Sequence, residues 1–139
     1  MYLLDTNLVS ELRKAPSGRA DARVVEWASR QPVTDFFLSV IALLELEHGV
    51  LLMERKDGVQ GKRLRQWLEN QVKSQFADRV LPIDTEVAVC AVRLHVPDPR
   101  PERDALIAAT AIVHGLTVVT RNARDFQGLP VPVIDPWRG

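Results

Sequence analysis

The chain has 139 residues, of which 46% are hydrophobic and 26% are charged, and its 18 basic residues balance its 18 acidic ones. This length and mixture predict one folded domain over residues 1–139 and exclude an extended disordered chain. Because the formal charge is zero, binding to nucleic acid would need a local basic patch. The single cysteine, Cys90, excludes an internal disulfide and fits a reducing compartment. The sequence predicts no signal peptide and no membrane span, so we expect a cytoplasmic protein.

The first half of the sequence alternates short apolar runs with helical patterns, and turn residues separate them. The last two helices of this half are expected to form a hairpin. The predicted elements are a strand at Tyr2–Leu4, a helix capped by Thr6 or Asn7 and running to about Lys14, a helix from about Ala20 to Arg30, a strand at Phe36–Leu38, a helix capped by Ser39 and running to about Arg55, and a helix with Leu64, Trp67, Leu68, Val72 and Phe76 on one stripe.

The second half continues the alternation. Its predicted elements are a strand at Val80–Ile83, a helix capped by Asp84 or Thr85 and ending near Leu94, a proline-rich loop at Pro97–Pro101, a mostly apolar helix from Asp104 to His114 that Gly115 ends, and strands at Thr117–Thr120 and Val131–Ile134. Strands that alternate with helices predict an α/β fold, in which helices cover both faces of a mainly parallel sheet of four to five strands.

Four acidic residues in separate segments each lie beside core-forming sequence. They are Asp5, Glu45, Asp104 and Asp125. A bare carboxylate is unfavourable among apolar residues, and like charges repel when they are brought together. If the four converge, a divalent cation such as Mg²⁺ or Mn²⁺ is the natural ligand, because these ions prefer carboxylate oxygens and no cysteine and histidine set competes.

The predicted fold places three of these acids at one edge of the sheet. Asp5 and the segment from Thr120 to Asp125 follow strands, and ligands of open α/β sheets bind beyond the carboxyl ends of the strands. Asp104 opens a helix, whose N-terminal dipole favours a nearby anion. Taken singly, however, each aspartate is more typical of a helix or turn cap than of a ligand.

The fourth acid, Glu45, lies inside a predicted helix rather than after a strand or at the start of a helix. Helical geometry places it on the same face as Ile41, whereas Glu47 lies about 200° round the helix. We therefore expect Glu45 to face inward and Glu47 to be solvated. Gly49, one turn after Glu45, lowers helix stability by roughly 1 kcal/mol relative to alanine, which predicts a close approach by a neighbouring group.

Four motifs, in order, resemble those of the PIN-domain ribonucleases, and specifically of the VapC/FitB-type toxins. The similarity covers nearly the whole chain, and its spacing is more specific than any single motif. The motifs are Leu3-Leu4-Asp5-Thr6-Asn7, Leu38 to Gly49 around Glu45, Asp104 to Ala111, and Thr120-Arg121-Asn122 with Asp125-Phe126.

The resemblance implies a compact α/β/α domain that uses bound Mg²⁺ or Mn²⁺ to cleave RNA. In such a domain Asp5 and Asp104 would be the principal metal ligands, and Glu45 would be the second acid of the family pattern. Asn122 stands where some members carry an acid, and Asp125 is the candidate replacement, so the pattern leaves one or two metal ions open. The positions with supporting or substrate-binding roles are Thr6, Thr120, Arg121 and Asn122, although Arg121 is equally typical of an ordinary surface arginine.

The resemblance also implies partners. Toxins of this type are similar in forming homodimers and in being held inactive by a small antitoxin, whose tail crosses the groove near the acids. The predicted hairpin from about Val40 to Phe76 is the candidate antitoxin contact.

Two other classes of function remain open from the sequence. A catalytically inactive PIN-like binding module would keep the fold without binding metal, and Asn122 is the feature that favours it. A metal-dependent phosphatase or DNA nuclease would use the same acids on a different substrate. Turnover that requires metal separates the first alternative from a ribonuclease, and the choice of substrate separates the second.

Overall fold

The computed structural model describes residues 1–138 and contains five parallel strands in the order β3-β2-β1-β4-β5. In the register of the sheet, Leu3 pairs with Phe37 on one side and with Val118 on the other, so β1 is the central strand. The predicted α/β class with a parallel sheet is confirmed. The strands are β1 (Tyr2–Leu4), β2 (Phe36–Ser39), β3 (Val80–Leu81), β4 (Thr117–Val119) and β5 (Val133–Ile134).

Helices connect the strands and cover both faces of the sheet. Short 3₁₀ segments occupy several of the connections, including Ala123–Phe126 and Pro136–Arg138. Across residues 1–138, no helix combines the length and the apolar character needed to cross a bilayer. The helices are α1 (Thr6–Arg13), α2 (Ala22–Ser29), α3 (Val40–Lys56), α4 (Gly58–Trp67), α5 (Lys73–Gln75), α6 (Thr85–Leu94) and α7 (Glu102–His114), with a π-helical turn at Leu68–Val72 between α4 and α5.

The side chains of the central strands alternate between two hydrophobic layers. Leu4 and Val119 pack in the layer with buried residues of α1, α2, α3 and the π turn. Leu3 and Val118 point to the opposite layer, where buried residues of α7 cover the sheet. Helix α6 packs on the outer side of α7 through Val87, which is fully buried. Because both faces of the sheet are buried, the strands occur in the sequence as short continuous apolar runs.

The ends of the helices follow the predicted capping chemistry with one correction. Ser39 and Asp84 cap α3 and α6 as predicted. The prediction that Thr6 or Asn7 caps α1 is wrong, because Asp5 is the N-cap residue and its side chain accepts a hydrogen bond from the Thr6 N–H. Asp5 therefore has the cap geometry that its sequence context also suggested.

Two strands are shorter than predicted by two residues each, and β4 ends at Val119, one residue before the predicted Thr120. The third strand ends at Leu81 rather than Ile83, and the fifth begins at Val133 rather than Val131. Proline has no N–H to donate to a neighbouring strand, and Pro82 and Pro132 lie at the two lost ends. Both short strands lie at the edges of the sheet, where such interruptions are tolerated.

Helices α3 and α4 form the predicted hairpin, and they meet at a glycine. A Cβ atom added at Gly61 would lie 2.4 Å from the Cα of Glu54, so the two backbones are in direct contact there. Gly49, by contrast, has open space around it. The close approach expected at Gly49 is therefore wrong, and it occurs at Gly61 instead.

One arginine ties this hairpin together. Arg65 on α4 donates to Glu47 Oε1 at 2.7 Å and to Glu54 Oε1 at 3.1 Å, both on α3. It also contacts Glu69 at 3.3 Å, within the π turn. The prediction that Glu47 is simply solvated is therefore wrong, because an arginine on the neighbouring helix holds it. Glu47 and Glu54 share Arg65 as a partner, which helical spacing within α3 does not show.

Candidate active site

The first site residue, Asp5, directly follows the central strand and is 92% buried. Its Oδ1 accepts a hydrogen bond from the Thr6 N–H at 2.8 Å, and its Oδ2 accepts one from the Thr120 hydroxyl at 2.7 Å. Asn7 Nδ2 lies 3.4 Å from Oδ2 and adds a weaker contact. Burial would disfavour an ionised carboxylate, and these donors offset part of that penalty.

The end of β4 holds this arrangement in place. Thr120 is fully buried, and its Oγ1 accepts hydrogen bonds from Asn7 Nδ2 at 3.2 Å and from the Asn122 N–H at 3.0 Å. The Arg121 N–H donates to Asn7 Oδ1 at 3.2 Å. The segments after β1 and β4 are thus joined by side chains. Asn7 is the link between them, whereas its sequence context indicated only a possible helix cap and a place in the first motif.

Glu45 joins the site through a second hydroxyl. The Thr6 hydroxyl donates to Glu45 Oε1 at 2.7 Å, so Thr6 contacts Asp5 with its backbone and Glu45 with its side chain. Glu45 faces the site from α3, as predicted. Its Oε2 lies 3.5 Å from Nη1 of Arg103, an arginine that the sequence-based interpretation did not single out.

The remaining two acids approach from the other side of the sheet. Asp104 lies in the first turn of α7 and is half-buried, whereas Asp125 lies in the 3₁₀ segment Ala123–Phe126 and is exposed. Burial raises the pKa of Asp104 above its ordinary value, and the charges of Asp125, Asp5 and Glu45 raise it further. All four predicted acids therefore lie within electrostatic reach of one another.

Neighbouring acidic charges also affect the pKa of Asp5. Burial raises this pKa, the hydrogen bonds from Thr120 and Thr6 lower it, and the charges of Glu45 and Asp125 raise it again. The net shift is upward. The fold thus holds carboxylates together against their mutual repulsion, which is a pattern typical of functional sites.

The protein-family model of the PIN domain matches residues 2–130 of the chain. The chain belongs to the PIN-domain family.

This PIN domain is similar to proteins of the FitB and VapC type. It is 38% identical over 143 residues to Toxin FitB of Neisseria gonorrhoeae, covering 99% of each chain. It is 34% identical over 145 residues to VapC ribonuclease Y4jK of Sinorhizobium fredii, covering 99% of this chain and 98% of that one. The crystal structure of FitAcB from Neisseria gonorrhoeae superposes with a TM-score of 0.90 at 35% identity and full coverage of both chains. Other solved neighbours include a toxin–antitoxin complex and complexes with DNA.

The donor set of this PIN domain fits a hard divalent cation that keeps part of its water shell. Over residues 1–138, no three acidic, histidine or cysteine side chains are arranged to hold an ion by themselves. Mg²⁺ usually retains several waters and binds proteins through one or two carboxylates. Asp5 and Asp104 supply that number of carboxylates, and burial together with the neighbouring acidic charges raises the pKa of each. The assignment of these residues as metal ligands stays a prediction.

We expect Asp104→Asn to stabilise the PIN domain at neutral pH. The pKa of Asp104 is raised on folding from its ordinary value of 3.8, so the folded chain holds this proton more tightly than the unfolded chain does. Stability is therefore lost as pH rises through the interval above 3.8, and asparagine avoids that loss. Because the group is partly exposed, the gain at pH 7 should be only about 0.5 kcal/mol, or roughly 1–2 °C in Tm.

The measurement is thermal unfolding between pH 3 and pH 8, without added divalent ions. The gain should vanish toward the acidic end, where Asp104 is protonated in both states. Asp98→Asn is the matched control, because Asp98 is an exposed aspartate in the loop before α7. A variant that is less stable than the wild-type protein at pH 7 would contradict the interpretation that these carboxylates repel one another.

Proposed function

We propose that this PIN domain, over residues 1–139, is a Mg²⁺- or Mn²⁺-dependent endoribonuclease and the toxin of a toxin–antitoxin pair. The observation that carries the proposal is the cluster of Asp5, Glu45, Asp104 and Asp125, in which burial and mutual repulsion raise the pKa values of Asp5 and Asp104. The names of the similar proteins, a toxin and a ribonuclease, support the same activity.

In the proposed reaction, Asp5 and Asp104 would hold the metal ion. A bound divalent ion supplies a more acidic water and offsets the negative charge that develops on the scissile phosphate. Thr120 and the Thr6 N–H fix the two oxygens of Asp5, so that the carboxylate keeps one orientation. Pre-set ligands of this kind avoid reorganisation during the reaction.

Glu45 and Asp125 are proposed to orient the attacking water. The Thr6 hydroxyl holds Glu45 Oε1, which leaves Oε2 toward Arg103. Arg103 supplies positive charge to the acid cluster in the absence of an ion, and its side chain is 51% exposed. An ion pair at this distance that involves an exposed guanidinium contributes little stability, so it can give way when an ion binds.

The decisive experiment uses purified chain and fluorescent RNA and DNA oligonucleotides of the same sequence, with Mg²⁺, Mn²⁺ or EDTA. Cleavage of RNA that requires a divalent ion supports the proposal. Cleavage of DNA alone would replace it with a DNA nuclease. No cleavage of either substrate by folded protein that also binds no metal in calorimetry would favour a binding module.

Metal binding should also increase the free energy of unfolding. We expect Mg²⁺ at about ten times its Kd to add about 1.4 kcal/mol to the free energy of unfolding, which corresponds to a rise of about 5 °C in Tm. NaCl at matched ionic strength is the control for general screening. Asp104→Asn should show a smaller rise, because one proposed ligand is gone. An equal rise in NaCl and MgCl₂ would argue against a specific ion.

An antitoxin is proposed as the partner, because solved neighbours of this fold include a toxin–antitoxin complex. The end of α4 and the segment that follows it contribute to an apolar groove of about 370 Å³, bounded on the other side by α1 and α2. Leu12, Val25, Trp67 and Phe76 line it. We expect Trp67→Ala to weaken co-purification with the antitoxin; unchanged recovery of the complex would place the contact elsewhere.

A homodimer and a cytoplasmic location complete the proposal. The homodimer follows from the resemblance to the VapC/FitB-type toxins, and the location is the sequence-based expectation that rests on the single cysteine and on the absence of a predicted signal peptide or membrane span. Light scattering after size-exclusion chromatography tests the dimer, and a monomer at micromolar concentration would contradict it. Fractionation of cells that express the chain tests the location.

A further inference from the structure

An open groove of about 1040 Å³ adjoins the acid cluster. The segment from Arg121 to Leu129 forms one wall, and β5 with the following 3₁₀ segment Pro136–Arg138 contributes another. Asn122 and Asp125 line the groove, so it is continuous with the candidate active site. A substrate strand that reaches Asp125 would have this groove available for its flanking part.

The groove carries positive charge that its own carboxylates do not neutralise. Four arginines and three aspartates line it: Arg23, Arg121, Arg124, Arg138, Asp21, Asp125 and Asp135. Arg23 pairs with Asp21 at 3.0 Å, and Arg138 pairs with Asp135 at 3.5 Å. In the part of the chain that the structure describes, Arg121 and Arg124 have no carboxylate within ion-pair distance. Because the whole chain has zero formal charge, this local excess is a feature of the groove.

One of these two arginines is held in a defined place. The Arg121 guanidinium lies 5.6 Å from the centroid of the Trp137 ring, and Trp137 is buried. The backbone N–H of Arg121 donates a hydrogen bond to Asn7 Oδ1, and Asn7 also contacts Thr120. A guanidinium held beside an indole keeps a defined position, and its planar group is suited to stacking on a nucleobase. The side chain is exposed and therefore accessible from the groove.

We propose that this groove binds the single-stranded RNA that flanks the scissile bond. Arg121 stacks against an unpaired nucleobase and Arg124 contacts a backbone phosphate. Stacking on arginine planes requires bases that are not paired, which is how proteins commonly recognise single-stranded RNA. This inference rests on the proposed ribonuclease function, because it assigns the substrate of the same site.

The test measures binding separately from cleavage. A fluorescent single-stranded RNA of 12 nucleotides is titrated with protein in EDTA, and anisotropy gives Kd at several salt concentrations. We expect Arg121→Ala to weaken binding about 5- to 150-fold, since stacking is worth roughly 1–3 kcal/mol per base. Arg124→Ala should weaken binding and lower the slope of log K against log salt by about 0.7, the value for one phosphate contact on a single strand.

Two further variants separate charge from stacking. Arg121→Lys keeps the positive charge but loses the plane, so it should bind more weakly than wild type with an unchanged salt slope. Arg55→Ala removes one positive charge from an exposed position at the end of α3, outside the groove, and should change Kd by less than about twofold. A weakening by Arg55→Ala equal to that of the groove variants would overturn the proposal.

The outcomes also separate this inference from the proposed function. Loss of binding in folded Arg121→Ala and Arg124→Ala, with no cleavage by wild type in Mg²⁺, would support the groove and reject the ribonuclease. Metal-dependent cleavage with unchanged binding in both variants would reject the groove and keep the ribonuclease. Duplex RNA of the same length should fail to compete, and strong competition by it would overturn the assignment to single strands.

Discussion

Asp5→Asn is expected to lower the rate of RNA cleavage by at least about a thousand-fold, which corresponds to about 4 kcal/mol of transition-state stabilisation. Asp5 is the most buried of the four acids, and two strong hydrogen bonds fix its carboxylate. Asparagine has nearly the same shape but lacks the negative charge that would hold a divalent ion. The proposed Mg²⁺ would then lose one of its two principal ligands.

The same substitution should leave the fold intact. The asparagine oxygen can still accept the hydrogen bond from the Thr6 N–H, and removal of a buried charge offsets the weaker contact with Thr120. Single-turnover cleavage and thermal unfolding are measured on the same preparation, with Asp98→Asn as the control. A folded Asp5→Asn protein that keeps more than about a tenth of the wild-type rate would remove Asp5 from the catalytic centre.

Gly61→Ala is expected to destabilise the protein by about 3 kcal/mol, at the upper end of the usual effect of overpacking. The new Cβ would lie 2.4 Å from Glu54 Cα and 2.7 Å from Glu54 N. These are backbone atoms, which cannot rotate away as the end of a side chain can. The α3–α4 hairpin would have to separate, which would also strain the ion pairs that Arg65 makes with Glu47 and Glu54.

Gly49→Ala provides a matched comparison for this prediction. Gly49 also lies in a helix, but a Cβ at this position meets nothing within 4 Å. Alanine should therefore stabilise the protein by roughly 0.5–1 kcal/mol through its higher helix propensity. Chemical denaturation gives both free energies of unfolding. If the two variants shift stability in the same direction, backbone contact at Gly61 is not the constraint that the structure indicates.

The glycines show what a sequence can and cannot predict about packing. Helix propensity identifies Gly49 as unfavourable in a helix, but propensity contains no information about the neighbouring element. At Gly61 that element is α3, which returns against α4 after a single connecting residue, Asp57. The same limit explains the error at Glu47. Helical periodicity gives the direction of a side chain, whereas its partner depends on the packing of another helix.

Some residues of the candidate site could be selected from the sequence, and others could not. Apolar context was sufficient to select Asp5, Glu45, Asp104 and Asp125, because a carboxylate beside core sequence is unfavourable without a specific reason. Asn7 and Arg103 were missed, since neither breaks a local pattern. Asn7 acts by joining the ends of β1 and β4, which are more than 100 residues apart in sequence. That contact depends on strand order, which periodicity does not determine.

The position of β1 in the middle of the sheet has a consequence for synthesis of the chain on the ribosome. Residues 2–4 are made first, yet their neighbour on one side is β4, at residues 117–119. Thr120, the hydroxyl that fixes Asp5, follows immediately. Chains emerge in order from the N-terminus, so the acid cluster cannot assemble until almost the entire sequence has been translated. A stalled or prematurely terminated product that ends before residue 117 would therefore lack the complete acid cluster, because β4 and Thr120 would be missing.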